Sequence, residues 1–338
     1  MATVSELAKR TGVSPATVSR VLNNRPGTSA AARKAVVAAA AEAGIRSRAA
    51  ESAALRVALI YAMGNPAVPL QGYDADVAAG LFERLGDHDG QLVVLRLSDR
   101  RHRESYRDFF FRSHIDSAVL RVNEATRHVA RDIADEALPC VVASDRYRDD
   151  NIGWVGYDSR TGTLEAIDYL VNLGHQSIAY VQPLPPVNHD FKERHEAFRE
   201  GSARHGLDPD SCPVVNAEFS RAGGGSAIDQ LMTRQRPPTA VIFATPVTTV
   251  GGIQRAMQRG LRVPDELSIV GFDDGRLRHD VFPTYSAVCQ NARRIGSEAA
   301  RIALSAARSQ QRFSPVEQLI LPSAFEANET TGPAPVNP

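Results

Sequence analysis

The 338-residue sequence predicts an α/β protein with an N-terminal three-helix helix-turn-helix unit and a two-lobed core of parallel sheets covered by helices. Three observations carry this prediction. Two short helices with clear start signals fill the first 24 residues. From Arg56 onward, short apolar runs alternate with amphipathic helical stretches. These strands are too many for one small sheet, which points to two similar lobes with a cleft at the strand ends.

The head comes first. Thr3 and Glu6 form a Thr-x-x-Glu capping box, and Ser14-Pro15 is an N-cap with proline at the first helical position. Gly12 permits the tight turn between the two helices. Val4, Ala8, Val13, Val18 and Val21 are expected where the helices touch. A third, Ala-rich helix is predicted from about Ser29 to Ala43, with Gly44 as its C-cap. A helix-turn-helix inserts its second helix in a major groove, so the implied partner is double-stranded DNA. Residues 45–55 carry no strong pattern and read as a linker.

The core follows as strand and helix in turn. The pairs are Val57–Tyr61 with Asp76–Leu85, Leu92–Leu97 with Arg103–Arg112, and Ala118–Val122 with Thr126–Ala137. Strands Cys140–Ala143 and Ile152–Val155 precede helix Thr161–Leu173. Next come Ser177–Val181 with Phe191–His205, Val214–Asn216 with Gly224–Thr233, Val241–Ala244 with Val247–Arg259, and strand Leu267–Val270. The expected division is 1–46 head, 47–55 linker, 56–158 plus 290–318 one lobe, and 159–289 plus 319–330 the other. The Pro-rich end, 331–338, is expected to be disordered.

Net charge is zero but unevenly spread. Residues 1–50 carry Lys9, Arg10, Arg20, Arg25, Arg33, Lys34, Arg46 and Arg48 against Glu6 and Glu42, a net +6 that leaves −6 for the rest. A basic head on an acidic body suits a protein in which only the head meets phosphate. Cys140, Cys212 and Cys289 are widely spaced, which fits reduced thiols. There is no signal-peptide core and no apolar run long enough for a bilayer, so a cytoplasmic location is expected. The nine histidines show no metal-ligand spacing, Gly223–Gly225 lacks a dinucleotide-site context, and no GxSxG occurs. Asp273-Asp274 has no evident catalytic partner, so neither a cofactor nor an enzymatic activity is expected.

Nearly the whole chain resembles the LacI/GalR family of bacterial transcription repressors. The resemblance rests on Val13-Ser-x-x-Thr-Val-Ser-Arg-Val-Leu-Asn23, Asp158-Ser-Arg-Thr-Gly162 and Tyr169-Leu-Val-Asn-Leu-Gly-His-Gln-Ser-Ile-Ala-Tyr-Val181. Two further segments carry it, Pro238–Ala244 and Gly260–Asp274. It implies a homodimer on a pseudo-palindromic operator, and a core related to periplasmic sugar-binding proteins that takes a small effector: a sugar, sugar phosphate or sugar acid. Two rivals remain open at this point: a sugar-binding protein with a vestigial head, and a regulator whose effector is a protein.

In the head, Ser14, Pro15 and Ala16 open the recognition helix. Pro15 and Ala16 offer base edges only apolar contact, for example to a thymine methyl. The resemblance makes Arg20 a base reader, for which a bidentate contact to guanine is favoured and a phosphate contact is the alternative. Thr3, Thr17, Ser19 and Asn23 are expected on phosphates, with Arg25 adding charge. The linker departs from the family's Tyr-x-Pro-Asn-x-x-Ala-x-x-Leu. Here the stretch is Ile45-Arg-Ser-Arg-Ala-Ala-Glu-Ser-Ala-Ala54, and Leu55 serves as a minor-groove wedge only with a one-residue shift. Either an Ala-rich hinge helix still forms or the heads are loosely tethered.

For the effector, the resemblance implies contacts from Arg194 and Asp273, against the alternative of a lobe-bridging salt bridge, and from Asp145 and Phe219, for which a salt bridge and an aromatic lid on the core are equally open. Thr245 stands where relatives have asparagine, with Pro246 where they have the helix-capping aspartate. Arg121 ends a strand where a neutral residue is common. This yields the expectation of an anionic effector paired with Arg121 and Arg194, against the alternative that Arg121 points to solvent or bonds an acidic neighbour.

Overall fold

The computed structural model describes residues 3–22, 28–43, 54–62, 72–88, 90–184, 189–273, 277–308 and 317–336. Asn23, Arg25, Gly44 and most of the expected linker lie outside the described residues.

The head contains α1 (Val4–Thr11), α2 (Pro15–Leu22) and α3 (Ala30–Glu42). Both halves of the capping box form: Thr3 N donates to Glu6 Oε2 at 2.6 Å, and Glu6 N to Thr3 Oγ1 at 3.3 Å. Gly12 takes φ 68°, the left-handed turn that favours glycine. Ser14 Oγ accepts from Thr17 N at 3.1 Å, which fixes where α2 begins. Leu7, Ala8, Val18, Val21, Val36, Ala39 and Ala40 make a small separate core, with Val13 against its edge. Val4, expected at the contact, is exposed instead. Leu7, one turn further on and beside Ala8, takes the buried position, because that face of α1 meets α2 and α3.

The remaining elements are β1 (Arg56–Tyr61), α4 (Tyr73–Gly86), β2 (Gln91–Arg96), α5 (Tyr106–Ser113), β3 (Ser117–Arg121), α6 (His128–Asp135), β4 (Cys140–Ala143), β5 (Gly153–Asp158), α7 (Ser159–Asn172), β6 (Ile178–Pro183), α8 (His189–Arg204), β7 (Val214–Ala217), α9 (Arg221–Met232), β8 (Ala240–Phe243), α10 (Pro246–Gln258), β9 (Ser268–Asp273), β10 (Ser286–Cys289), α11 (Ala292–Arg308), β11 (Gln318–Pro322) and β12 (Ala324–Glu326). They build two six-stranded sheets, in the orders β11-β5-β4-β3-β1-β2 and β12-β10-β9-β8-β6-β7. Every pairing is parallel except β10 with β12. Each sheet is sandwiched between two apolar clusters, so its strands are near-continuous apolar runs. No helix among the described residues is long and apolar enough to cross a membrane.

The chain crosses between the sheets three times: after β5, after β10 and between β11 and β12. The third crossing corrects the expected boundary. Gln318–Pro322 pairs with β5 in the first lobe, four residues beyond the division expected at 318. The end of the chain differs as well. Gly332 N donates to Ser268 Oγ and its carbonyl meets His175 Nε2, both at 3.1 Å, while Ala334 N donates to Leu173 O at 2.8 Å. Residues 331–334 are therefore packed, since tertiary hydrogen bonds override a composition that reads as disordered.

Two glycines set the packing of the first lobe. A Cβ on Gly80 of α4 would lie 1.9 Å from Arg293 O, and one on Gly296 of α11 would lie 2.0 Å from Val77 O. The two helix backbones touch where neither carries a side chain. Gly296→Val is expected to destabilise the protein by about 3 kcal/mol, the upper end for overpacking, because backbone must move. Chemical denaturation checks this; an unchanged midpoint would contradict the close approach.

Candidate functional site

Two surfaces collect the expected residues. On the head, Thr3, Ser14, Pro15, Ala16, Ser19 and Arg20 are exposed, and Thr17 is half-buried. Pro15, Ala16, Ser19 and Arg20 recur at helical spacing on one side of α2, opposite the buried Val18 and Val21. The Thr17 hydroxyl is already bonded to Ser14 Oγ at 2.9 Å, so its first task is to hold the start of the helix. Leu55 is not available as a wedge. It packs on the first lobe's core, and its carbonyl accepts from Gln91 N at 2.8 Å. The hydrogen-bonded start of β1 claims it for the core.

The second surface lies at the C-terminal strand ends of the two lobes. Arg194, on α8, is 5% exposed. Its guanidinium donates to Ala244 O at 2.6 Å, Gln290 Oε1 at 2.9 Å and Ser159 Oγ at 3.5 Å. It sits 4.0 Å from the Phe272 ring centre and 5.0 Å from that of Phe191. Phe219 meets Phe191 edge-on at 6.4 Å, so the expected aromatic wall reaches Arg194 through a second ring. Ser159 and Gln290 stand at two of the lobe crossings and are bonded to each other at 2.9 Å. Arg194 thus ties the cleft to the points about which the lobes would move.

Arg121 answers the open question about its partner. It is buried at the end of β3, its Nε donates to Asp74 Oδ1 and its Nη1 to Ala143 O, each at 2.7 Å. Tyr61 also donates to Asp74. The acidic neighbour therefore holds Arg121, and the expected anion site loses one of its two cations. Thr245 is committed too: it caps α10, its Oγ1 accepting from Thr248 N at 3.3 Å. With Pro246 unable to cap, Thr245 takes that task.

Asp273 is 1% exposed and accepts from Arg278 Nη1 at 2.5 Å and from Tyr285 OH at 3.4 Å. Arg278 is anchored in turn by Glu326 at 2.6 Å. Asp145 is fully buried; its Oδ1 accepts from Arg127 at 3.0 Å and from the Arg146 amide at 2.9 Å, while Oδ2 has no partner. The sequence reading missed the interlobe pair Arg146–Glu193, a two-pronged bridge at 2.8 and 3.1 Å. It also missed Asp190, buried on α8 with an unpartnered Oδ1. The spacing of Asp190, Glu193 and Arg194 places all three on one helix face, a signal that was present in the sequence.

His189, Asp190 and Glu193 bring three possible ligand atoms within 4.8 Å of one another, a cluster that histidine spacing alone does not reveal. Both Glu193 oxygens are already held by Arg146, and one also accepts from the Ser159 amide at 2.9 Å. A metal ion would have to break that bridge. Burial pushes the Cys140 and Cys289 thiols up to about 12, away from the thiolate form.

Comparison with known proteins adds the following. Residues 3–46 match the family described as bacterial regulatory proteins, lacI family, and residues 167–325 match a periplasmic binding protein-like domain. Catabolite control protein A of Priestia megaterium is 25% identical over 97% of this chain and 99% of its own length. The HTH-type transcriptional repressor CytR of Escherichia coli K12 is 26% identical over 91% of each chain. Among solved structures, a CelR–cellobiose complex superposes with a TM-score of 0.69 at 22% identity, covering 98% of this chain and all of that one. A ribose-bound regulator from Enterococcus faecium gives 0.69 at 20% identity, over 82% of this chain and 99% of its own. These similarities support the two-lobed architecture and the helix-turn-helix at its front.

Proposed function

Since the chain belongs to the lacI family of bacterial regulatory proteins and is a transcriptional regulator, we propose that it is a repressor. It acts as a homodimer on a pseudo-palindromic operator and is released by a sugar-like effector held between its lobes. The exposed face of α2, with Arg20 beside Pro15, Ala16 and Ser19 on a helix whose start is fixed by Ser14, carries this reading. Two heads related by a two-fold axis would place two such helices in successive major-groove faces. Phe82 on α4 and Val94 on the edge strand β2 are exposed apolar groups that suit contact with a second copy.

The cleft supports a small effector. Arg194 is buried among neutral acceptors and two aromatic rings, a setting that binds a polar ring compound. The lobes change DNA affinity only if the effector prefers one arrangement of them over another. Selection of bound duplexes from a randomised pool tests the reading. The expected result is one palindromic sequence, with affinity that falls steeply as salt rises. Recovery of no preferred sequence would favour a sugar-binding protein whose head has lost its role.

A further inference from the structure

Two neighbouring residues of α8, Lys192 and Glu193, carry opposite charges, and each meets its opposite in the other lobe. Glu193 accepts two prongs from Arg146, which follows β4, at 2.8 and 3.1 Å. Lys192 faces Glu124, which follows β3, at 3.6 Å. The two pairs differ in weight. The side chains of Lys192 and Glu124 are more than half exposed, so water and salt screen them. Those of Arg146 and Glu193 are each 15% exposed, and the two-pronged geometry fixes both.

The Arg146–Glu193 pair is supported from both sides. Behind Arg146, a Cβ on Gly156 of β5 would lie 3.2 Å from its Cγ, so the glycine leaves room for the stem. Behind Glu193, the Ser159 amide donates to Oε2 at 2.9 Å, just after the first lobe crossing. The Ser159 hydroxyl accepts in turn from Gln290, just after the second. A link of this kind is reversible. Charges released into an opened cleft regain their hydration, which offsets much of the attraction lost. An apolar contact has no such compensation.

We propose that Arg146 and Glu193 form a latch that biases the lobes toward each other before any effector arrives, and so sets how readily the operator is released. The proposal rests on the reading of the protein as a repressor released by an effector between its lobes. An effector that touches both lobes gains most when they are together, so it favours the arrangement that the latch favours. Under that reading, this is the arrangement with low operator affinity. The latch therefore supplies part of the response from within the chain, and breaking it strengthens repression at rest. Both residues are positioning residues and need touch neither DNA nor effector.

The test uses the full chain without effector and has two readouts. Spin labels at Arg148→Cys in the first lobe and Arg199→Cys on α8, both exposed sites, report the distance between the lobes. The parent chain, labelled in parallel, accounts for Cys140, Cys212 and Cys289. Glu193→Gln is expected to lengthen and broaden that distance. Its affinity for the palindromic duplex selected by the wild type is expected to tighten by at least about fivefold, the lower end of allosteric couplings. A merely structural role would not produce a gain of affinity. Glu200→Gln, on the same helix but bonded to Arg160 within one lobe, is expected to change neither. Should Glu193→Gln fail to fold, Arg146→Lys decides, since it keeps the charge and loses the second prong; it is expected to change both readouts in the same directions. An unchanged label distance overturns the proposal, and so does operator binding that is unchanged or weaker. If the wild type prefers no duplex, the repressor reading fails, and the label distance still decides whether the pair holds the lobes.

Discussion

Arg20→Ala is expected to abolish discrimination between operator and random DNA while leaving non-specific binding nearly intact. The guanidinium is exposed on the last turn of α2, on the side away from the head's core. Its planar fork matches O6 and N7 of guanine, a contact worth roughly 1–3 kcal/mol of discrimination in each half-site. A two-fold complex loses that amount twice, so the ratio of specific to random affinity is expected to fall by roughly two to four orders of magnitude. With phosphate contacts proposed for Thr3, Thr17 and Ser19 instead, the dependence on salt is expected to change little. Ser19→Ala serves as the contrast and is expected to weaken all sequences alike. Gel shifts at several salt concentrations, with operator and scrambled competitor, separate the two. An Arg20→Ala protein that keeps its preference would move base reading to Pro15 and Ala16, which offer only apolar contact.

The head was legible because its rules are local. The capping box, the left-handed glycine and the Ser-Pro start each operate within four residues, and each formed. Val4 was misplaced because two apolar residues one turn apart compete for one face, and only the position of α3 decides between them. The alternation of strands and helices was legible up to Val270. Beyond it, β10, α11, β11 and β12 went unread, since the chain there moves between lobes and its neighbours in sequence are not its neighbours in space.

The cleft was legible in residue type but not in pairing. Arg121 reads as an unmatched cation until Asp74, 47 residues earlier, is seen beside it. Asp273 reads as a ligand acceptor, and nothing in the sequence shows that Arg278, five residues on, bonds it. Asp190 goes unread, because nothing in its neighbours along the chain shows the burial that leaves its Oδ1 without a partner. A partner such as Asp74 is brought to Arg121 by the fold, so a single chain read from end to end does not reveal the pair.

Arg194 is the residue on which effector response is expected to depend most. Arg194→Met keeps the length and apolar stem but removes every donor. Ala244 O and Gln290 Oε1 then lose charged hydrogen bonds in a buried site, and the rings of Phe272 and Phe191 lose the cation between them. A loss of about 2–4 kcal/mol in the unfolding free energy is expected, read by denaturant titration. The functional loss is larger. Through Gln290 and Ser159, Arg194 joins the cleft to two crossings between the lobes, so its removal disconnects ligand from lobe movement even where some ligand still binds. The head has its own core, and among the described residues no contact joins it to this network, so operator affinity without effector is expected to stay within about threefold of wild type. The combination expected is therefore a destabilised protein that still binds its operator and no longer lets go when effector is added. A variant that releases the operator at the wild-type effector concentration would show that the signal passes around Arg194, for which the Arg146–Glu193 bridge between the lobes is one route.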